Sequence, residues 1–318
     1  MSTLSVRVDE IRNEAEDIKS FRLVSASGDP LPSFTAGSHI DVHVEPGLTR
    51  QYSLANAPED GGAYLIAVKK EPLSRGGSRA MHERVRQGDV LQIGAPRNNF
   101  ALASAGRHLF FGGGIGITPL LGMAMHLDSG GVPWELHYFS RSPRHTAFHE
   151  LLSAPRYAEK VHFHYALEQD AVRGYLRKQL WHRPDGAHLY LCGPRPFMDT
   201  VEQTASATWP PEAVHVEYFS ADPASLAAPR PTFRVRLARR QIECTIPEDE
   251  SICTALFDHG VRIESMCGQG VCGTCVTGVL EGIPDHRDVY LSAEQKAAND
   301  RIMPCVSRAR SEMLVLDL

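Results

Sequence analysis

The sequence predicts a multidomain chain of three successive parts: a small antiparallel β-barrel, an α/β unit built on a parallel sheet, and a compact α+β domain. Three observations carry this. Up to about Phe100 the chain reads as short strands broken by turn residues, as antiparallel barrels do. After Ala103 strand-like and helix-like stretches alternate, which suits a parallel sheet covered by helices. Near the C-terminus three cysteines crowd together at Cys267, Cys272 and Cys275, with a fourth at Cys305. The 318 residues suffice for two or three domains. The expected boundaries are 1–103, 104–222, a linker at 223–231, and 232–318.

In the first part the strand candidates are Leu4–Ile11, Lys19–Ala26, His39–Val44, Gln51–Leu54, Ala63–Val68 and Val90–Ile93. Turn residues separate them, at Gly28-Asp29-Pro30, Glu45-Pro46-Gly47, Asp60-Gly61-Gly62 and Gln87-Gly88-Asp89. Two pieces carry chemistry. In Arg50-Gln51-Tyr52-Ser53 a cation, a phenol and a hydroxyl share a strand end. Arg50 suits a phosphate, Tyr52 an aromatic ring, and Ser53 a ring nitrogen or carbonyl. Ser74-Arg75-Gly76-Gly77-Ser78-Arg79 precedes a helix expected through Met81–Val85, and its amides and hydroxyl make an anion site. Either piece alone is more often structural. Together they resemble the flavin-binding barrel of the ferredoxin reductase family, in particular its FMN-binding members, whose phosphate lies against that turn. The resemblance implies FMN rather than FAD, since no segment asks for an adenine. It places flavin contacts at Arg50, Tyr52, Ser53, Val68, Lys69, Gly76, Gly77 and Ser78.

In the second part the apolar strand His108-Leu109-Phe110-Phe111 runs into Gly112-Gly113-Gly114-Ile115-Gly116-Ile117-Thr118-Pro119 and an apolar helix to about Leu127. A glycine-rich turn from strand to helix suits a pyrophosphate, with Thr118 as N-cap and Pro119 at N1. The match to G-x-G-x-x-G is imperfect, because Ile117 stands where the third glycine would fall. Strands are expected at Trp134–Phe139, Val161–Tyr165 and Ala187–Leu191, the last running into Cys192-Gly193-Pro194. The two turns resemble the NAD(P) domain of the same family. The likeness implies nucleotide contacts at Gly113, Gly114, Ile115, Thr118, Gly193 and Pro194, with Cys192 beside the nicotinamide where hydride passes to the flavin. Glu168, after the third strand, would repel a 2'-phosphate and favours NADH; Ser140-Arg141 argues weakly for NADPH. Val214–Ser220 resembles the family's terminal strand, whose aromatic residue covers the flavin, and Phe219 is the candidate. Cys192, Ser53 and Phe219 are thus the candidate catalytic residues.

Ala221 to Pro231 is rich in Ala, Ser and Pro and reads as a linker. Beyond it come a hairpin, Thr232–Leu237 with Gln241–Ile246, then a helix over Ser251–His259. Val276–Leu280 follows as a strand, then a capping box at Ser292-Ala293-Glu294-Gln295, and last a strand over Met313–Leu316. The spacing C-x4-C-x2-C with a distant fourth cysteine is the plant-type pattern for four thiolates around a 2Fe-2S cluster. Gly268, Gly270 and Gly273 let the backbone fold around it. A zinc site usually shows two paired spacings, and secreted disulfide frameworks are small and evenly paired. Cys192, Cys244 and Cys253 remain as widely spaced singles. This part resembles the β-grasp ferredoxin fold, fused at the C-terminal end.

A net charge of -5 gives no footprint for nucleic acid. No signal peptide or membrane-length apolar run is evident, so a cytoplasmic protein is expected. The order flavin, nicotinamide, ferredoxin resembles the phthalate dioxygenase reductase family. That likeness implies transfer from NADH to FMN, to the cluster, and on to a separate Rieske-type aromatic oxygenase or demethylase. Plant-type clusters near about -400 mV and Rieske centres from about -150 mV make the last step downhill by roughly 6 kcal/mol per electron. Contact with the partner is expected around Gln269 and Val271, in a small transient interface made by a monomer. Two alternatives stay open: a reductase serving a cytochrome P450 or another acceptor, and a non-catalytic redox-sensing module.

Overall fold

The computed structural model describes residues 3–45, 47–72 and 76–318. Pro46, and Ser74 and Arg75 of the expected anion turn, lie outside the described residues. The chain divides into two compact units, Met1–Glu217 and Tyr218–Leu318.

The first unit opens with six antiparallel strands: β1 (Thr3–Ala15), β2 (Ile18–Ser25), β3 (His39–Glu45), β4 (Leu48–Ser53), β5 (Ala63–Lys69) and β6 (Val90–Gly94). Their order is β4-β3-β6-β1-β2-β5, and a bridge between Leu54 and Ile66 ties the end of β4 to β5 and closes the barrel. Alternation aims Val6, Val8, Phe21, Leu23, Ile40, Val42, Ile66 and Ile93 into one buried core. All six strands fall where the turn residues place them. Helix α1 (Gly77–Glu83) begins four residues before the expected Met81, directly at the glycine pair.

The same unit continues with a wholly parallel sheet of β7 (Arg107–Gly113), β8 (Trp134–Ser140), β9 (Val161–Tyr165), β10 (Ala187–Cys192) and β11 (Val214–Glu217). The order is β11-β10-β7-β8-β9, with the reversal at β7, whose C-terminal end carries the glycine-rich turn. The connections carry α2 (Ile117–Ser129), the single turn α3 (His149–Leu152), α4 (Gln169–Leu180) and α5 (Arg195–Ala205). Helix α2 is buried almost throughout, between this sheet and the barrel. A Cβ at Gly122 of α2 would fall 2.8 Å from Leu54 O, and one at Gly37 would fall 2.7 Å from Cε of Met123 in α2. This contact fixes barrel and sheet against each other. Within this sheet expected and observed strands differ most at the end of β11, which stops at Glu217, so Phe219 lies beyond it; in the barrel, β1 runs four residues past the expected Ile11, to Ala15.

The second unit starts with α6 (Pro223–Ala227), a short helix inside the expected linker, capped by Asp222 Oδ1 accepting from Ala224 N at 3.0 Å. Then come β12 (Phe233–Leu237), β13 (Ile242–Ile246), α7 (Ile252–Asp258), β14 (Thr277–Glu281), β15 (Pro284–Asp285), α8 (Ala293–Ala298), β16 (Arg301–Ile302), β17 (Arg308–Ala309) and β18 (Met313–Leu316). The sheet order is β13-β12-β18-β14-β16, with β12 and β18 parallel; β15 and β17 pair separately. Strand β12 alternates buried and exposed, and Phe233, Val235 and Leu237 join Ile252 and Leu256 of α7 in the core. The capping box at Ser292 and Gln295 forms as the sequence requires.

Two buried arginines bind the second half of the expected linker to this domain. Arg287 donates to Ala228 O and Pro229 O at 3.2 and 2.7 Å. Arg308 donates to Pro231 O at 3.1 Å, and to Pro247 O and Glu250 O at 2.8 and 2.6 Å. Residues 228–231 are therefore anchored to the final domain through their carbonyls.

Candidate redox site

The first group of residues gathers where β4 of the barrel meets the ends of β10 and β11. Tyr52 and Ser53 are the last residues of β4, held opposite Ile40 and His39 of β3. Ser53 Oγ donates to Glu217 Oε2 over a long 3.4 Å. Glu217 ends β11 directly beside Cys192, which ends β10. A hydroxyl from the barrel, a carboxyl and a thiol from the parallel sheet thus share one place. Burial pushes the Glu217 carboxyl up to about 8, opposed by the Ser53 hydrogen bond. Burial, and then the neighbouring Glu217, pushes the Cys192 thiol up, so it is protonated and inert as a nucleophile. Glu217 is a site residue that the sequence reading missed. Its signal was a carboxylate at the end of the strand Val214–Glu217.

The rest of the barrel set lies along β4, β5 and the start of α1. The Arg50 side chain crosses the backbone at Gly77 so closely that a Cβ there would fall 2.6 Å from its Cγ. Gly77 is needed for that approach, and Gly76 before it takes φ +92°. Arg50 Nη1 donates to Thr49 O at 2.7 Å. Ser78 is buried and accepts from Glu71 N at 3.1 Å, leaving its own proton to donate elsewhere. Val68 is buried, and Lys69 pairs with Glu71 at 2.6 Å. Tyr52 Oη is buried with no hydrogen-bond partner among the described residues. Such an orphaned hydroxyl costs about 1–3 kcal/mol unless a ligand atom meets it. A planar ligand with polar edges and a phosphate fits Tyr52, Ser53 and Arg50 together.

The two turns of the parallel sheet touch backbone to backbone. A Cβ at Gly116 would fall 2.2 Å from Cys192 O, and one at Gly113 would fall 2.7 Å from Pro194 Cδ. Gly116, not the position of Ile117, supplies the close approach that the third glycine of a dinucleotide fingerprint gives. Thr118 is not the N-cap. A 3-10 turn over Gly114–Gly116 winds into α2 two residues earlier than expected, so Thr118 and Pro119 both lie in the first turn, and Thr118 donates to Ile115 O at 3.1 Å. Tyr138 Oη donates to Gly114 O at 3.0 Å and fixes the turn from β8. Gly193 and Pro194 line the gap opposite, half-buried and exposed respectively. Glu168 stands just before α4 at the end of the β9 connection. Ser140 is already engaged with Thr146 Oγ1 at 2.7 Å.

The second group lies wholly in the second unit. Cys267, Cys272 and Cys275 are buried and Cys305 half-buried. The sulfurs of Cys267, Cys272, Cys275 and Cys305 lie close to one another, with Cys253 beside Cys275, and their mutual interaction pushes the Cys267 and Cys275 thiols down and the others up. Gln269 N also donates to Cys267 Sγ, at 3.3 Å. At Gly273, with φ +75°, a Cβ would fall 2.2 Å from the Tyr290 ring, which is half exposed beside the loop. Four converging sulfurs with backbone donors fit a 2Fe-2S cluster. Gln269 and Val271 are half-buried; Glu264, Ser265, Val276 and Tyr290 are exposed side chains nearby. Phe219, 42 % exposed, also belongs to this unit.

Comparison with known proteins places these groups in context. The 2Fe-2S iron-sulfur cluster binding domain family matches residues 235–310. The vanillate O-demethylase oxidoreductase of Acinetobacter baylyi is 42% identical over 320 residues, covering 100% of both chains. A phthalate 4,5-dioxygenase oxygenase reductase subunit of Pseudomonas putida is 42% identical over 96% of this chain and 93% of its own. The solved structure of phthalate dioxygenase reductase, described as modular for electron transfer from pyridine nucleotides to [2Fe-2S], superposes with a TM-score of 0.81. It is 37% identical and covers 100% of this chain and 98% of its own.

Proposed function

The chain belongs to the phthalate dioxygenase reductase family of NAD(P)H-dependent oxygenase reductases, and from that premise we propose that it carries electrons from NADH through FMN and a 2Fe-2S cluster to a Rieske-type oxygenase acting on an aromatic compound. The observation that carries the reading is the junction of Ser53 with Glu217 and Cys192. It sets the strand bearing the flavin signature against the turn bearing the nicotinamide signature, as direct hydride transfer requires. A flavin exchanges electron pairs and single electrons, and the cluster single electrons.

The chain's own residues position and exclude. Arg50 meets the phosphate as a charge-assisted donor, with Gly76, Gly77 and Ser78 beside it. Tyr52 gives its orphaned hydroxyl to the ribityl or ring edge, Ser53 donates to the ring, and Val68 and Lys69 line its border. Gly113, Gly114, Ile115 and Thr118 receive the pyrophosphate of NADH, and Gly193 and Pro194 hold the nicotinamide against Cys192. The Cys192 thiol fills that floor without titrating near neutral pH, and protonated Glu217 keeps a proton beside Ser53. Phe219 is assigned as the aromatic cover of the flavin. Glu168 disfavours a 2'-phosphate and so NADPH. Cys267, Cys272, Cys275 and Cys305 hold the cluster. We assign 1–103 to the flavin, 104–222 to the nucleotide and 232–318 to the cluster, with 223–231 as the joint.

The protein is read as a cytoplasmic monomer that docks transiently through the cluster loop, beside exposed Val276 and Tyr290. No described helix is long and apolar enough to cross a membrane. The test is an anaerobic NADH titration of the purified protein, followed by visible absorption and by identification of the released flavin. Flavin and cluster bands that bleach together after about 1.5 equivalents, three electrons for one flavin and one cluster, support the reading. A cluster band that persists after the flavin has bleached overturns it.

A further inference from the structure

The first unit carries a groove that neither group of redox residues uses. It runs between α4 and α5 toward the C-terminal end of α4, away from Glu168, and encloses about 670 Å³. Small-molecule sites span about 300–1,000 Å³. Arg173, Arg177 and Trp181 line one wall. They stand four residues apart, and Trp181 keeps helical dihedrals of -57° and -36°. The three side chains therefore form one row with steps of about 6 Å.

The groove is held in place by its surroundings. Leu180 O accepts from Thr208 Oγ1 at 2.6 Å and from Trp209 Nε1 at 3.3 Å, which ties the end of α4 to the chain after α5. On the opposite wall Thr200 and Thr204 donate back to Pro196 O and Thr200 O, both at 2.7 Å, so neither hydroxyl proton is free for a ligand. The row on α4 is not engaged in this way. Arg177 makes no ion pair or hydrogen bond among the described residues. Arg173 reaches Asp170 only at 4.0 Å, and that carboxylate is 99 % exposed. Trp181 is 79 % exposed, more than any other large apolar side chain described. No acidic residue lines the groove.

Two guanidiniums without a counter-charge in the groove and an uncovered indole suit a ligand that is both anionic and planar. A carboxylate meets the guanidinium fork with two parallel hydrogen bonds, and an aromatic ring stacks on the indole. A phosphate suits the place less well. Arg177 lies in the last turn of α4, where the helix dipole is negative and the unpaired groups are carbonyls, whereas phosphate sites draw on the amides of a helix N-terminus.

We propose that the groove between α4 and α5 binds an aromatic carboxylate, with Arg177 gripping the carboxylate, Trp181 stacking on the ring and Arg173 meeting a second polar substituent. The assignment does not depend on which cofactors the chain holds.

The experiment is a calorimetric titration of benzoate into the full-length holoprotein, with NAD+ present in excess to occupy the nucleotide site. One benzoate per chain is expected at about millimolar affinity or better, with uncharged benzamide at least about tenfold weaker. Arg177→Gln and Trp181→Ala should each weaken benzoate about tenfold. Lys178→Gln removes a neighbouring charge that does not line the groove, and should leave the affinity within about twofold. All three positions are exposed, so melting temperature and the rate of flavin reduction by NADH should stay at wild-type values. No binding up to about 10 mM, wild-type affinity in Arg177→Gln or Trp181→Ala, or benzamide binding as tightly as benzoate overturns the proposal. A loss in Lys178→Gln equal to that in Arg177→Gln marks general attraction between charges and overturns it as well.

Discussion

Gly116→Ala tests whether the contact between the two turns of the parallel sheet governs hydride transfer. The new methyl would sit 2.2 Å from Cys192 O, 2.4 Å from its carbonyl carbon and 2.6 Å from Gly193 N. An ordinary contact is about 3.4 Å, so the turns must part by about 1.2 Å. All three opposing atoms are backbone, so no side chain can swing aside. Overpacking of this kind costs about 1–3 kcal/mol of stability. Its larger effect falls on geometry, because a misplacement near 1 Å lowers a positioned reaction by about 100-fold. Stopped-flow reduction of the flavin by NADH under anaerobic conditions should slow by about that factor. Reduction by dithionite, which needs no nucleotide, should keep its rate and so report an intact flavin and cluster. Gly186→Ala is the control: its Cβ would meet nothing within 4 Å, and φ of +64° costs only about 1–3 kcal/mol of local strain. A Gly116→Ala protein that reduces its flavin within threefold of the wild-type rate would refute the reasoning.

Three further outcomes are expected. The Glu217 carboxyl, raised by burial to about 8, favours folding in its protonated form. Stability from this group is full below the ordinary carboxylate range and is lost as pH rises toward 8, by at most about 1.4 kcal/mol per unit. Glu217→Gln should flatten melting temperature against pH between 5 and 8, and an unchanged slope would exclude Glu217 as its source. Arg50→Gln should weaken flavin binding about 10- to 100-fold, from the loss of about 1.5–3 kcal/mol in charge-assisted hydrogen bonding; flavin fluorescence on dilution measures it, and equal affinity would remove Arg50 from the phosphate site. Arg308→Met leaves the carbonyls of Pro231, Pro247 and Glu250 without their donor. Urea titration of the cluster absorbance should show a loss of at least about 3 kcal/mol in this unit, and a smaller loss would mean that the linker carbonyls find other partners.

Much of the architecture was legible because it is locally encoded. The six barrel strands follow turn residues that admit few alternatives, the Ser292–Gln295 capping box is complete within four residues, and the spacing of the cysteines specifies how closely they can converge. Thr118 was misplaced by reading N-cap preference alone. A 3-10 turn over three residues that include two glycines winds straight into α2, and a threonine in the first turn bonds back to Ile115 instead. The linker reading followed composition and missed two arginines about sixty and eighty residues further along the chain.

The sequence by itself determined which stretches become strands, where the glycine-rich turns fall, and how the four cysteines are spaced. Those properties depend on neighbours a few residues away. Only the tertiary structure decided that Ser53 meets Glu217 and Cys192, about 160 and 140 positions away respectively, and that Gly116 rather than the position of Ile117 takes the close contact. It alone packed Cys253, an isolated single in the sequence, against the small core that holds Cys275. Such pairs are joined by how helix and strand faces stack across a core, and stacking is set by side-chain volumes summed over whole surfaces rather than by any local signal.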